Sequence, residues 1–121
     1  MGSSVGNAYI TIKLIGVGKE KTLRLIVDTG SIYTWIRRET LEELGVKPRG
    51  KHVFVTIEGR RIVRDIGSVE AEFDSLRMPI PVVFAEQDDK EVFGVTALEI
   101  FGLVVDPRTG EIRKEEALLA L

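Results

Sequence analysis

The alternation of apolar and polar residues predicts a chain built mostly of short β-strands. Ala8–Ile15 alternates as a strand with one buried face does. A glycine-containing turn at 16–19 and the run Lys21–Val27 extend it into a hairpin. Further strand-like runs lie at 32–36, 53–57, 61–66, 69–73, 78–84, 92–93 and 103–105. We therefore expect a mostly β fold.

Short helical segments interrupt these strands at 39–45 and 96–101. Each has a Thr and a Glu at capping-box spacing and ends at a glycine suited to a C-cap. These residues are Thr40, Glu43 and Gly45 in the first segment, and Thr96, Glu99 and Gly102 in the second. Pro79 and Pro81 predict that the strand at 78–84 begins at a sheet edge, since proline cannot donate to a neighbouring strand.

Composition narrows the classes of function. The chain has 121 residues, 44% apolar and 30% charged, which is typical of one soluble globular domain. A net charge of −2 gives no reason to expect nucleic acid as a partner, and no apolar run approaches the roughly 20 residues that span a bilayer. There is no Cys and only one His, His52, so we expect no metal or other cofactor. With no targeting segment in the sequence, we expect a cytoplasmic protein.

The candidate chemistry lies in Leu25–Ser31, where an apolar strand is followed at once by Asp28, Thr29 and Gly30. A carboxylate at the buried end of a strand is costly unless it is paired or hydrogen-bonded. A structural interpretation is an Asx or Ser/Thr turn with Gly30 at positive φ. The functional interpretations of Asp28 are a lone general base, a metal ligand, or one half of a carboxylate pair.

The carboxylate pair is the most economical of these interpretations. A metal site needs convergent ligands, and the other candidate aspartates fall in turns or hairpin arms that we expect to be exposed. They are Asp65, Asp74, Asp88, Asp89 and Asp106. Two Asp about 3 Å apart share one proton, so one can activate water while the other polarises a peptide carbonyl. No second Asp-Thr-Gly occurs in the chain, so the partner carboxylate must come from another copy across a two-fold axis.

Two motifs follow one another along the chain. Asp28-Thr29-Gly30-Ser31 follows two apolar residues, and Val92-Phe93-Gly94 leads later into a short helix. This order resembles the retropepsin-like (clan AA) aspartic proteases, and more narrowly their small microbial single-domain members. The resemblance extends from about Tyr9 to Ile112. It implies a homodimer whose subunit is a closed, β-barrel-like single lobe with two short helices. Asp28 would be the catalytic residue, supported in its loop by Thr29, Gly30 and Ser31. Thr29 would also hydrogen-bond to the loop of the other copy across the two-fold axis.

The same resemblance implies a flap at the 53–66 hairpin, with Ile57, Glu58, Gly59 and Arg60 at its tip. Such a flap closes over an extended peptide or unfolded protein substrate, which is bound largely by strand-like backbone pairing. The chain departs from retroviral enzymes at three places, which are the flap tip, the residue after Gly94, and the tail at 113–121, which is charged and then apolar. Its flap tip has one glycine rather than several, and Val95 follows Gly94 where those enzymes have Arg.

From these observations we expect a flexible leader at 1–7, a retropepsin-like protease domain at 8–112, and a tail at 113–121. The tail could add a dimer-interface strand or pack as a helix. The predicted function is an aspartic endopeptidase that hydrolyses peptide bonds with water activated between two Asp28 carboxylates. One alternative is a non-proteolytic domain of the same fold that serves as a dimerisation or peptide-binding module. The other is a small β-domain that binds a metal through Asp28.

Overall fold

The computed structural model describes residues 7–115, so most of the predicted leader and the end of the predicted tail lie outside the described residues. Within that range the chain is mostly β with two short helices, as predicted, and neither helix is long and apolar enough to cross a membrane. The strands are β1 (Tyr9–Gly16), β2 (Lys19–Val27), β3 (Thr34–Arg37), β4 (Gly50–Val55), β5 (Arg61–Phe73), β6 (Leu76–Ala85), β7 (Val92–Phe93), β8 (Leu103–Val105) and β9 (Ile112–Lys114). The helices are α1 (Arg38–Glu43) and α2 (Val95–Ile100).

The strands form one mixed sheet that closes on itself and a small separate sheet. In the large sheet the order is β1-β2-β7-β3-β6-β5-β4, and an additional pairing of β1 with β5 completes a ring. The β2–β7 and β3–β6 pairs are parallel, and the other pairs are antiparallel. β4 pairs with β5 outside the ring, and β8 pairs with β9 in the small sheet.

The hydrophobic core draws on alternate residues of the ring strands and on one face of each helix. Full burial of a large apolar side chain contributes about 1.5–3 kcal/mol, so these residues supply much of the stability of the domain. The most deeply buried side chains include Ile12, Leu14, Ile36, Leu41, Ile80, Val82, Phe84 and Phe93. Because β2, β3 and β7 are neighbours in this ring, the loops at their ends are brought together.

The helices form near the predicted positions, but the predicted capping boxes are wrong. Thr40 and Thr96 lie within the first turn of their helices, and neither helix receives a side-chain cap. The predicted C-terminal glycines are confirmed. Gly45 and Gly102 have φ of 80° and 68°, and the Gly45 N–H donates to the carbonyl of Glu42.

The runs at 61–66 and 69–73 form one continuous strand, β5, rather than two. The strand passes through Gly67, where a Cβ would lie 3.1 Å from the carbonyl oxygen of Lys47. The first half of β5 pairs with β4, and the second half pairs with β6 and β1. The edge position of Pro79 and Pro81 is confirmed, because that part of β6 pairs with β5 alone and β3 joins only from Val82.

Candidate active site

Asp28 begins the loop that joins β2 to β3. Leu25 is the last buried residue of β2, and Asp28, Thr29 and Gly30 are all exposed in the single chain. The expectation of a carboxylate at a buried strand end is therefore wrong for the isolated subunit, because β2 leaves the core before it reaches Asp28. The carboxylate is open to solvent and to any molecule that approaches this face.

Backbone hydrogen bonds hold Asp28 on both sides. The Asp28 N–H donates to the carbonyl oxygen of Phe93 at 3.0 Å, and the Gly30 N–H donates to the Asp28 carboxylate at 2.9 Å. Gly30 does not have the positive φ of the structural interpretation. A Cβ at this position would lie 3.3 Å from Asp28 Oδ1, a tight contact, so the glycine favours the close approach of the backbone to the carboxylate rather than an unusual backbone conformation.

The second motif, Val92-Phe93-Gly94, lies directly beside the Asp28 loop. β7 runs parallel to the end of β2, with Phe93 opposite Val27. The buried N–H of Gly94 donates to Thr34 Oγ1 at 3.0 Å. A Cβ at Gly94 would lie 2.3 Å from the carbonyl oxygen of Tyr33, so only glycine fits here without movement of the loop.

The loop also caps helix α2. The first N–H groups of the helix, from Val95 and Thr96, donate to the carbonyl oxygens of Ser31 and Ile32 at 2.8 and 3.1 Å. These hydrogen bonds satisfy the N–H groups that a capping side chain would otherwise bind. The predicted capping box at Thr96 and Glu99 is therefore not used. Ser31 donates its hydroxyl to the Tyr33 carbonyl at 2.7 Å and so supports the loop from within. The role predicted for Thr29 involves a second copy and stays a prediction.

The predicted flap tip is a closed turn at the end of the β4–β5 hairpin. Gly59 has φ of 86°, and its N–H donates to the Thr56 carbonyl at 2.8 Å. The Arg60 N–H donates to Thr56 Oγ1 at 3.0 Å. Ile57 and Glu58 are exposed at the tip, and the closure of this tip over a substrate stays a prediction.

Aromatic rings join the base of this hairpin to the segment after Asp28. Phe54 lies 5.0 Å from Trp35 and 5.9 Å from Tyr33 between ring centroids. The ring of His52 lies 5.8 Å from that of Tyr33. This contact was not predicted from the sequence, although the spacing of His52 and Phe54 places both on one face of a strand.

Ion pairs hold the same hairpin to the loop between β6 and β7. Arg64 Nε lies 2.6 Å from Asp89 Oδ2, with side-chain exposures of 17% and 12%, and the Arg64 guanidinium lowers the pKa of Asp89. Asp65 binds both Lys51 and Arg38, which lower its pKa. The expectation that Asp65 and Asp89 are exposed is therefore wrong, because chain segments that are distant in sequence fold over them.

Asp106 is also buried rather than exposed, in the turn after β8. Its carboxylate accepts the Arg108 N–H at 2.8 Å, and this hydrogen bond is the largest cause of its lowered pKa. In residues 7–115, no three or more His, Cys, Asp or Glu side chains gather into a group that could hold a metal ion.

Comparison with known proteins adds one positive finding. A family model described as aspartyl protease matches residues 11–97. The match covers the Asp28 loop, the β4–β5 hairpin and the Val92-Phe93-Gly94 motif. A comparison with curated proteins gives no match.

Proposed function

The chain belongs to the aspartyl protease family, and on that basis we propose that it is an endopeptidase in which two copies each contribute Asp28 to one active site. The observation that carries the proposal is the state of the Asp28 carboxylate. It is exposed on a loop that backbone hydrogen bonds hold in place, and among the described residues only the Gly30 N–H binds it. Such a carboxylate is free to approach its counterpart in a second copy.

In the proposed reaction the two Asp28 carboxyl groups share one proton, because like charges about 3 Å apart cannot both ionise. The ionised carboxylate removes a proton from water, whose oxygen attacks the peptide carbonyl carbon. The protonated carboxyl donates to the carbonyl oxygen and stabilises the tetrahedral intermediate. Transfer of a proton to the peptide nitrogen then allows the C–N bond to break.

The neighbouring residues have supporting roles in this proposal. Thr29 hydrogen-bonds across the two-fold axis, and Gly30 allows the substrate backbone to approach the carboxylates. Gly94 and the first turn of α2 keep the loop in place. The mixed ring of strands is consistent with the retropepsin-like fold in which such sites are built.

The β4–β5 hairpin is the proposed flap over an extended peptide or unfolded protein. Its position supports this role, because Phe54 and His52 pack against the segment that follows Asp28. The hydrogen bonds of the Thr56 turn keep the tip compact, so Ile57 and Arg60 can be presented to a bound substrate without a glycine-rich tip. Closure would exclude water from the reacting groups.

Subunit mixing tests the proposal. Asp28→Asn should lower kcat on an unfolded protein by about a thousandfold or more, since general acid–base groups contribute about 10²–10⁴. Asp88→Asn, a change of the same kind at another exposed Asp, should leave kcat unchanged. When the parent is mixed and refolded with Asp28→Asn, activity should fall as the square of the parent fraction. A linear fall would show one Asp28 per site, and full activity of Asp28→Asn would refute the assignment.

A further inference from the structure

The face of the β4–β5 hairpin that points away from Tyr33 and Trp35 is apolar and exposed. In the register of these strands Val53 lies opposite Val63, while the next pairs place His52 and Phe54 on the inner face. The side chains of Val53, Val55 and Val63 remain 49%, 64% and 54% exposed. We refer to Val53, Val55, Arg61 and Val63 as the outer strip.

The free edge of β4 runs beside this strip. β4 is the last strand of the large sheet, and in residues 7–115 it pairs only with β5. The open part of β6 is different, because Pro79 and Pro81 remove the N–H groups that an added strand would need. No proline lies in Gly50–Val55. Beyond Lys51, an edge that has no proline and carries exposed valines is suited to the addition of an extended chain.

The charge of the strip indicates which extended chain it would bind. Arg61 lies opposite Val55 and is exposed, and among residues 7–115 no carboxylate forms an ion pair with it. Lys51, at the other end of β4, is not available in this way, because Lys51 and Arg38 both form ion pairs with Asp65. The strip is therefore apolar with one available cation, which favours a segment with apolar residues at alternate positions and a nearby Asp or Glu.

We propose that the outer strip binds a second extended segment of an unfolded protein substrate, one that contains apolar residues and a carboxylate. This inference rests on the proposed function, since it assigns the strip to the same substrate that enters the cleft, by which we mean the space between the proposed flap and the Asp28 loop. The inner face of the hairpin covers the cleft while the outer face holds another part of the same chain. A long unfolded substrate then gains affinity that a peptide confined to the cleft does not.

The test compares two substrates with two sets of variants. Val53→Thr/Val63→Thr keeps the strand shape and removes two apolar groups from the strip. Val17→Thr makes the same change at a valine that is 96% exposed in the β1–β2 turn. For an unfolded protein we expect Val53→Thr/Val63→Thr to raise KM about tenfold, as the loss of two buried methyl groups implies. KM for a short peptide that fills only the cleft should not change, and Val17→Thr should change neither.

Other outcomes overturn the proposal. An equal rise in KM for both substrates would place the valines in the cleft, and no rise for either would show that the strip binds nothing. Loss of a larger assembly in sedimentation experiments, with KM unchanged, would show that the strip is a contact between copies.

A binding experiment separates this proposal from the proposed function. Asp28→Asn should bind a fluorescent unfolded protein in anisotropy measurements whether or not the parent cleaves it. Adding Val53→Thr/Val63→Thr should weaken that binding about tenfold, and adding Arg61→Gln should weaken binding of an acidic segment more than that of its amide counterpart. Binding that is unaffected by these changes would refute the proposal that the outer strip binds substrate, even if proteolysis is confirmed.

Discussion

Gly94→Ala offers a direct test of how the Asp28 loop is positioned. The added Cβ would lie 2.3 Å from the Tyr33 carbonyl oxygen, whereas carbon–oxygen contacts are normally about 3.3–3.6 Å. The loop must therefore move by about 1 Å, and a misplacement of that size can cost about a hundredfold in rate. Overpacking of this kind also lowers the free energy of unfolding by about 1–3 kcal/mol.

Two other glycines separate the effect on the loop from the effect on stability. A Cβ at Gly16 would lie 2.1 Å from the Leu44 carbonyl oxygen, a similar clash between β1 and the end of α1. Gly16→Ala should therefore lower stability as Gly94→Ala does, without moving the Asp28 loop. A Cβ at Gly50 would have its nearest neighbour at 4.0 Å, so Gly50→Ala should leave both stability and packing almost unchanged.

The assay measures kcat with a peptide substrate, corrected for the folded fraction obtained from denaturant unfolding. We expect Gly94→Ala to lose about a hundredfold in kcat, while Gly16→Ala and Gly50→Ala stay within a factor of about two per folded molecule. If Gly94→Ala keeps full kcat, or Gly16→Ala loses as much of it, then the contact between Gly94 and Tyr33 does not position the loop.

Two further predictions concern the hairpin. Asp89→Asn leaves Arg64 without its carboxylate and should lower the free energy of unfolding at neutral pH by about 2 kcal/mol. Glu20→Gln, in the exposed pair with Lys13, should have little effect. The pKa of Asp89 is lowered in the folded state, so its ionised carboxylate stabilises the fold above about pH 4. This stabilisation is lost as the pH falls through the pKa that Asp89 has in the folded protein. The parent and Asp89→Asn should therefore converge in stability in acid denaturation curves. Thr56→Val removes the acceptor of the Arg60 N–H, and amide hydrogen exchange at the tip should become faster while exchange in β1 does not change.

The parts of the site that could be predicted from sequence are those encoded locally. An apolar strand followed by Asp28, Thr29 and Gly30 predicts a loop from local sequence alone. Val92-Phe93-Gly94 was recognised by its order in the chain, whereas its contact with that loop was found only in the structure. The hairpin was predictable for the same reason, since alternation and a glycine turn lie within a short segment.

The remaining features depend on which distant segments the fold brings together. Arg64 pairs with Asp89 only because β5 and the loop after β6 lie side by side, and nothing in either segment indicates that partner. The exposure of Asp28 depends on where β2 leaves the core. The capping of α2 was missed because its acceptors are carbonyls of a loop more than 60 residues earlier in the chain, whereas a capping box is a local pattern.

The bonds between that loop and α2 also have a consequence for biosynthesis. During translation Asp28 emerges from the ribosome well before Val95 and Thr96, whose N–H groups bind the loop at Ser31 and Ile32. Until those residues emerge, Asp28 lacks both the hydrogen bond from its N–H to the Phe93 carbonyl and the helix that binds the following turn. A nascent chain therefore carries Asp28 in an unformed loop, and the loop takes its final arrangement only after most of the domain has been synthesised.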